Sequence, residues 1–343
     1  MNIKNYDRSA VLSDTEINNL FLKAYLHKPG MHCKILNAEF VIDSFNYFPI
    51  VNKSQTFKFV FDWQVGGSLD HFYSKDFFNY FNENYNNFSI INDAYLLGSS
   101  PGDNYYSNLL FFLPRIFFNN KNEVRLVVHR NLSNKFRKLI LKIGKILKKK
   151  ITFIYLDNEI YLFKNSQIPQ FLKISKSIKI LNHFLNNNSK NNNLKIYVSR
   201  QNSNYRNILN EDDLIKLLKS KGFRIIDPNH FDIGEQIELF SSAKIVISAS
   251  GSGLSNIIFC KPGTKIFEIR PNYKFVYENN FKLRFKNLSK IAGMEYKDII
   301  ADSIDKKNDS KLAKEFIDKK ILEESSYYSD LIVKIKDINE YIS

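Results

Sequence analysis

Short apolar runs alternate with helix-like segments most regularly in the second half of the chain, between residues 194 and 269. Four of the runs have the length of buried strands, and the segments between them repeat apolar residues at helical spacing. The predicted strands are 194–199, 223–226, 244–248 and 265–269, with helices at 210–221 and 233–241 and a short helix before the last strand. This order predicts a parallel sheet covered on both faces, with a ligand site at the carboxyl ends of its strands.

Residues at the ends of these segments support the predicted helices. Asn210 can cap a first turn that holds Glu211, and Gly222 stands where a glycine commonly ends a helix. Asp232 and Glu235 are three residues apart and match a capping box. We therefore favour a capping role for Glu235 over a role in a site.

The first half mixes strand-like runs with one strongly amphipathic helix. The expected strands are 58–63, 94–97, 124–129, 151–155 and 159–163. The predicted helix, 133–148, places apolar residues on one face and almost only lysine and arginine on the other. That basic face fits a solvated surface, which is the simpler interpretation, or a docking site for an anionic membrane. The mixture of strands and helices indicates an α/β fold.

Chain length predicts two domains, because 343 residues exceed the usual size of one hydrophobic core. A helix is expected at 174–185, and the following run, 186–193, holds only Asn, Ser and Lys and fits an exposed loop near the boundary. We expect a first domain over 1–170 and a second over 171–343. The last helix of the lysine-rich tail either closes the second domain or packs back on the first.

Charge points to partners that carry phosphate. Lys and Arg total 50 against 35 Asp and Glu, so the formal net charge is +15. Nucleotides, anionic lipid headgroups and nucleic acids all fit that balance, and charge alone does not choose among them. The two cysteines and six histidines show no spacing typical of a disulfide framework or a metal site, so no metal is expected.

The same composition predicts a reducing, cytoplasmic setting. The longest apolar run, 109–118, is far shorter than the roughly 20 residues that span a bilayer, and residues 1–12 are too polar for a signal peptide. If the protein acts at a membrane, we therefore expect it to bind peripherally to the inner surface of the cytoplasmic membrane.

A glycine-rich turn between the third strand and the short helix predicts an anion site. It comprises Ser250, Gly251, Ser252, Gly253, Leu254, Ser255 and Asn256. Arg200 follows the first predicted strand, so it is expected at the same sheet edge, where a guanidinium and helix N–H groups can share a phosphate. A dinucleotide fingerprint would carry glycine where Asn256 stands, which weakens an oxidoreductase interpretation.

A set of motifs in this half is similar to a known family. The set comprises Tyr197-x-Ser199-Arg200, Arg206, Asn210-Glu211, Gly222-Phe223, Glu235-Gln236, Phe240-x-x-Ala243, Gly251-x-Gly253-Leu254-x-Asn256, Pro262-Gly263-Thr264 and Glu268. Its order and spacing resemble glycosyltransferase family 61. A weaker match upstream comprises Gly98, Asn104-Tyr105-Tyr106-Ser107 and Leu113-Pro114-Arg115.

The resemblance implies a GT-B-like α/β fold, in which two Rossmann-type domains face an interdomain cleft. It also implies inverting transfer of a sugar from a nucleotide donor, generally without a metal or another cofactor. Arg200 and Arg206 would then contact the donor diphosphate, although Arg206 is equally consistent with a surface arginine. Ser250 to Leu254 and Asn256 would join them, and Glu268 would accept hydrogen bonds from the ribose hydroxyls.

Two positions depart from the family pattern. Family members usually carry histidine where this chain has Ser250, and often where it has Ser107. Serine can hydrogen-bond a phosphate or a sugar hydroxyl, but it is not a base near neutral pH without a partner. Asp103 and Ser107 are the catalytic candidates, although an aspartate that follows Pro101-Gly102 and precedes asparagine is more often a turn residue.

The leading hypothesis is a bacterial-type glycosyltransferase that extends a surface glycan such as capsule or lipopolysaccharide, with a glycan or lipid-linked glycan as acceptor. A catalytically silent nucleotide-sugar-binding homologue or scaffold is the alternative, motivated by Ser250 and Ser107. An RNA-binding protein ranks last, because the chain lacks the aromatic and glycine signatures of RNA-binding modules. No nucleic-acid partner is therefore expected.

Overall fold

The structure is a computed structural model that describes residues 29–43, 49–53, 56–59, 83–98, 103–157, 160–186, 193–201, 203, 205–274, 279–304 and 326–342. The chain divides into two compact units, Met1–Ile180 and Leu181–Ser343. Each unit is built around its own sheet with helices, so the protein is mixed α/β.

The sheet of the first unit is mixed. Its strands are β1 (Ile35–Asp43), β2 (Pro49–Lys53), β3 (Thr56–Phe59), β4 (Ser89–Asn92), β5 (Ala94–Leu96), β6 (Glu123–His129), β7 (Lys150–Leu156) and β8 (Ile160–Pro169), in the order β3-β2-β1-β8-β5-β6-β7, with β4 also beside β8. Strands β1, β2 and β3 pair antiparallel, and β1 pairs antiparallel with β8. Strands β5, β6 and β7 are parallel to one another and to β8. The unit therefore lacks the purely parallel sheet of a Rossmann-type domain, because short connections join β1 to β2 and β2 to β3.

The first unit also contains helices, one of them only in part. They are α1 (Asn134–Ile146), α2 (Ile174–Leu185), which crosses into the second unit, and a continuous helical stretch made of Tyr105–Ser107, Asn108–Phe112 and Leu113–Phe118, with a short 3-10 turn at Tyr85–Asn87. The apolar stripe of α1 is buried, as its spacing predicts. A Cβ on Gly144 would lie 2.7 Å from Cδ1 of Ile151, so this glycine lets α1 approach β7 closely.

The sequence predicts the parallel strands of this unit better than the antiparallel ones. The strands expected at 94–97, 124–129 and 151–155 are confirmed within two residues, and the one expected at 159–163 extends to Pro169. The expected strand 58–63 overlaps β3, and its residues 60–63 lie outside the described part of the chain. The sequence analysis missed β1, β2 and β4.

The sheet of the second unit is parallel except at one edge. Its strands are β9 (Leu194–Val198), β10 (Phe223–Ile226), β11 (Ala243–Ala249), β12 (Lys265–Pro271), β13 (Glu295–Ile304) and β14 (Asp330–Ile332), in the order β10-β9-β11-β12-β13-β14. Only β14 is antiparallel to its neighbour. The helices are α3 (Glu211–Ser220), α4 (Ile233–Ser241), α5 (Asn279–Ala292) and α6 (Ile335–Ile342), with 3-10 turns at Pro228–His230, Ser252–Phe259 and Ser326–Tyr328. The predicted strands and helices from 194 to 269 are confirmed within two residues.

Local signals at the helix ends give mixed results. Gly222 has φ +79° at the end of α3, and the Asp232–Glu235 capping box is present, with both hydrogen bonds under 3 Å. The expected capping role of Asn210 is wrong. Its amide instead pairs with the backbone of Val333, as donor at 2.8 Å and as acceptor at 3.0 Å. Asn210 thus ties the start of α3 to the segment before α6, whose Ile338 is buried in the core of this unit.

No helix within the described residues is long and apolar enough to cross a membrane.

Candidate functional site

The carboxyl ends of β9, β11 and β12 bring together the residues that the sequence assigns to a donor site. These three strands are neighbours and parallel. Arg200 follows β9, Ser250 follows β11, and Glu268 is the middle residue of β12, paired with Ser248 of β11. The predicted juxtaposition of a basic side chain and a glycine-rich turn at one sheet edge is therefore present.

The guanidinium of Arg200 lies against the backbone of Gly251. A Cβ added to Gly251 would stand 2.1 Å from Nη1 of Arg200, so any other residue at this position would displace the arginine. Nη2 of Arg200 donates to the carbonyl of Tyr205 at 2.9 Å, and this bond holds the group in place. Glycine at position 251 thus permits this close approach, and its φ of 174° is one that any residue adopts.

Next to Arg200, a helical turn begins at Ser252. Gly251 precedes it and has no side chain that could cap the first N–H groups of the turn. The first N–H groups of a helix have no carbonyl partner within that helix, and the helix dipole makes this end attractive to anions. Ser252 and Gly253 are partly exposed there. Arg200 and this turn together form an arrangement that suits a phosphate or diphosphate.

Two of the predicted diphosphate residues face inward. Leu254 and Asn256 are fully buried. The Asn256 side chain donates to Oε1 of Gln236 at 2.8 Å, and Nε2 of Gln236 donates to the carbonyl of Pro228 at 3.0 Å. In this structure the Asn256 side chain links the turn to α4. The roles of Leu254 and Asn256 in donor binding stay predictions.

Arg206 is buried rather than on the surface. Only 3% of it is exposed, and its backbone has φ +57°, a left-handed conformation that costs energy for a residue with a side chain. Its guanidinium lies 4.9 Å from the ring centre of Tyr205 and interacts electrostatically with Glu268. Arg206 therefore adds positive charge behind the edge where Arg200 lies.

Glu268 lies inside the unit, behind Ser250, and none of it is exposed. Burial raises the pKa of its carboxyl group, whereas hydrogen bonds from the Ser250 and Tyr296 hydroxyls and the charges of Arg270 and Arg206 lower that pKa. The Tyr296 hydroxyl donates to Oε2 at 2.6 Å. The carboxylate thus holds Ser250 in place, and its predicted contact with ribose stays a prediction.

A second buried carboxylate, Glu211, was missed as a site residue. It accepts a hydrogen bond from the Tyr197 hydroxyl at 2.6 Å and one from the backbone N–H of Arg200 at 3.2 Å. Glu211 therefore fixes the start of the loop that carries Arg200, as Glu268 holds Ser250. The family-like motif could have identified Glu211, because Glu211 follows Asn210 directly in it. Its place in the first turn of a helix could not, because an acidic residue there need not be buried.

In the first unit, Asp103 and Ser107 flank the start of a helical stretch after β5. Oδ1 of Asp103 accepts from Nδ2 of Asn108 at 2.8 Å and from the backbone N–H of Ser133 at 3.2 Å. Burial raises the pKa of Asp103, and its bonds to Ser133 and Asn108 and the charge of Arg137 lower it. The N–H of Ser107 donates to Oδ1 of Asn104 at 3.1 Å.

Two further ionisable groups lie at the same edge of the first sheet. His129 ends β6, and Asp157 follows β7 and pairs with Arg130 at 2.6 Å. Burial lowers the pKa of His129, and the nearby Asp157 raises it. The sequence analysis considered His129 only as a metal ligand, and its spacing from the other histidines and the cysteines does not fit a metal site. Among the described residues no group of three His, Cys, Asp or Glu could hold a metal ion.

Comparison with known proteins gives one finding on the family. The family model described as Glycosyltransferase 61 matches residues 62–267, which is more than half of the chain. The matched segment includes Arg200 and the whole turn from Ser250 to Asn256, and it ends one residue before Glu268. No curated protein matches the chain. The chain belongs to glycosyltransferase family 61.

Proposed function

We propose that the protein transfers a sugar from a nucleotide-sugar donor, with inversion, and that the donor diphosphate binds at the carboxyl edge of the second sheet. The observation that carries this proposal is the guanidinium of Arg200 packed against Gly251, at the uncapped start of the turn Ser252–Phe259. Arg206 adds charge behind this edge. Family membership supplies the reaction class, and this positive edge supplies a binding place for the leaving group.

The chemistry requires stabilisation of the departing nucleoside diphosphate. In an inverting transfer the acceptor hydroxyl attacks the anomeric carbon, the bond from that carbon to the diphosphate oxygen breaks, and the hydroxyl proton passes to a base. Negative charge grows on the diphosphate as the bond breaks. Fixed donors such as the Arg200 guanidinium and the first N–H groups of the turn stabilise that charge without reorganising.

Asp103 remains our candidate for the base, at the carboxyl edge of the first sheet. A carboxyl group with a raised pKa is a better proton acceptor near neutral pH than an ordinary one. We further propose a GT-B arrangement of the two units, a bacterial surface glycan such as capsule or lipopolysaccharide as acceptor, and a cytoplasmic location. These rest on the resemblance and on composition.

The alternative is a catalytically silent homologue that still binds a nucleotide sugar. Two serines suggest this alternative. Ser250, beside Glu268, stands where the family usually has histidine, and Ser107 stands where the family often has it. Replacing both serines by histidine discriminates the two, with transfer or donor hydrolysis as the assay. Gain of activity supports a silent homologue, whereas unchanged or lost activity supports an adapted enzyme.

The test of the donor site is calorimetric titration with UDP, CMP, GDP, ADP and their sugars. We expect saturable binding of one nucleotide class to the wild type and a loss of about tenfold or more in Arg200→Ala, since a charged hydrogen bond is worth about 1.5–3 kcal/mol. The matched control is Arg224→Ala, an exposed arginine on β10 of the same sheet, which should bind as the wild type does. Equal binding by both variants, or no binding by the wild type, contradicts the proposed site.

A further inference from the structure

One face of α1 carries lysines that point away from the core of the first unit. The buried side of the helix comprises Phe136, Leu139, Ile140, Ile143 and Gly144. On the opposite side Lys138, Lys142 and Lys145 are exposed, as is Lys148 just after the end of the helix, and these four lysines define what we call the lysine face.

This face is strongly and uniformly positive. Residues 133–150 contain eight lysines and arginines and no aspartate or glutamate. Within the described part of the chain, two carboxylates contact this segment at residues outside the lysine face: Asp103 accepts from the backbone N–H of Ser133 at 3.2 Å, and Glu123 pairs with Lys150 at 3.1 Å. Lys149 is also occupied, since its Nζ donates to the carbonyl of Lys121 at 2.7 Å. No ion pair of the described residues involves the lysine face, so its charge is available to a partner.

Two large apolar side chains interrupt the lysine face. Leu141 is 44% exposed and Ile146 is 46% exposed. Each follows or precedes a lysine of the face directly in sequence, so the apolar groups stand among the charges. A face that only meets water gains nothing from exposing branched aliphatic side chains, whereas an interfacial partner can bury them.

We propose that the lysine face, with Leu141 and Ile146, docks on a bilayer that contains anionic phospholipids. Clustered lysines are attracted to the negative surface of such a bilayer. The exposed aliphatic side chains can enter the zone between headgroups and acyl chains, while the long lysine stems keep their ammonium groups at the phosphates. A duplex nucleic acid satisfies the charges but offers no apolar layer for Leu141 and Ile146. The proposal goes beyond donor binding and does not depend on it.

The experiment is sedimentation of the full-length protein with vesicles of phosphatidylcholine and phosphatidylglycerol, and with vesicles of phosphatidylcholine alone. We expect binding to the anionic vesicles only. The variant Lys138→Glu/Lys142→Glu/Lys145→Glu should weaken it by about 100-fold or more, because each basic residue near such a surface contributes about 1 kcal/mol.

The matched control reverses the charge of three exposed lysines on helices of the second unit, Lys219→Glu/Lys286→Glu/Lys290→Glu. It has the same net charge as the first variant, and α5 also exposes Leu283 and Ile291. Binding within about twofold of the wild type is expected for the control. Equal weakening by both triple variants would overturn the proposal, because binding would then reflect net charge and not this helix.

A second variant tests the apolar part of the face. Leu141→Ser/Ile146→Ser keeps every lysine and should bind anionic vesicles about tenfold more weakly, since both side chains lose apolar area to bury. Unchanged binding would overturn the role of the two side chains. Equal binding to neutral vesicles, or binding of the lysine face to duplex DNA without binding to anionic vesicles, would overturn the proposal as a whole. All variants are at exposed positions, and their thermal unfolding should match that of the wild type.

Discussion

The carboxyl edges of the two sheets occupy equivalent positions in their units and carry opposite chemistry. In the second unit Arg200 and the uncapped start of the turn after Gly251 lie at the edge, with Arg206 behind. In the first unit the corresponding edge, at the ends of β5, β6 and β7, carries Asp103, His129 and Asp157. One edge suits an anion, and the other suits the acceptance of a proton.

The two edges are also supported differently. Behind the second edge, Glu211 and Glu268 each accept a hydrogen bond of 2.6 Å from a tyrosine hydroxyl, Tyr197 and Tyr296 respectively. One carboxylate holds the N–H of Arg200 and the other holds Ser250. In the first unit, Asp103 is itself the acceptor at the edge. We infer from this difference that the acidic groups of the second unit position the site, whereas those of the first unit are candidates for accepting a proton.

The largest effect is expected when the support of the second edge is removed by Glu211→Ala. Both the Tyr197 hydroxyl and the Arg200 N–H would lose a buried charged acceptor, so the free energy of unfolding should fall by about 3 kcal/mol. Urea unfolding measures this loss. The control is Glu235→Ala, which removes an exposed capping-box carboxylate and should cost about 1 kcal/mol or less. If both variants lose the same stability, Glu211 is an ordinary first-turn acid.

The next effect concerns close packing at the second edge. Gly251→Ala places a methyl group 2.1 Å from Arg200, whereas a Cβ on Gly253 meets nothing nearer than 3.7 Å. Nucleotide affinity should therefore fall about tenfold or more in Gly251→Ala and clearly less in Gly253→Ala, since loss of one charged contact is worth about 1.5–3 kcal/mol. Calorimetric titration of both variants measures this. Equal losses would mean that Arg200 does not depend on the space at Gly251.

Sequence patterns predicted the second unit more completely than the first. Strands β9 to β12 consist mostly of apolar, buried residues, and such short apolar stretches are visible locally. Strand β13, Glu295–Ile304, alternates exposed and buried residues along much of its length, so it has no such run. Strand β1 pairs with β8, which is more than a hundred residues away, and no local pattern encodes that partner.

Residues of the site were predictable only where a short sequence motif identifies them. Gly251 and Arg200 were identified from motifs beside strands. The Glu211–Tyr197 and Glu268–Tyr296 pairs depend on strands and helices that come together only in the fold. Asn210 satisfied the local rule for a helix cap, and a tertiary bond to Val333 prevailed over it. The base cannot be chosen from sequence, because its proton-accepting strength depends on burial.

A smaller effect is expected on the pH dependence of stability through Glu268. Its pKa is raised in the folded protein, so above the ordinary value of 4.5 the folded state holds more protons than the unfolded state. Stability contributed by this group is therefore present at low pH and falls as pH rises from 4.5 through the raised pKa. In Glu268→Gln that decline should be absent, so the difference in unfolding free energy between the variant and the wild type should shift in favour of the variant with rising pH.

Tyr296→Phe sharpens this test. It removes one of the two hydroxyls that favour the charged carboxylate, so the pKa of Glu268 should rise further and the decline should continue to higher pH. Urea unfolding across the range from pH 4.5 to neutrality measures all three proteins. A difference between wild type and Glu268→Gln that does not change with pH would contradict the raised pKa.

The smallest effect is expected from Asp103→Asn at the first edge. Asparagine keeps a carbonyl acceptor for the Ser133 N–H and tolerates the left-handed φ of +49° at this position, so stability should change by less than about 1 kcal/mol. Nucleotide affinity, measured by calorimetry, should be unchanged. A loss of affinity like that of Gly251→Ala would break the contrast between the edges, because the first edge would then contact the nucleotide.

The most direct test of the account is amide hydrogen exchange, followed by mass spectrometry, with and without the nucleotide that binds in calorimetry. We predict that exchange slows at residues 199–206 and 250–256, on the second edge, and stays unchanged at 97–98, 103–108 and 129–134, on the first edge. Slowed exchange confined to the first edge, or no change at 250–256 at saturating nucleotide, would contradict a donor diphosphate site beside Arg200.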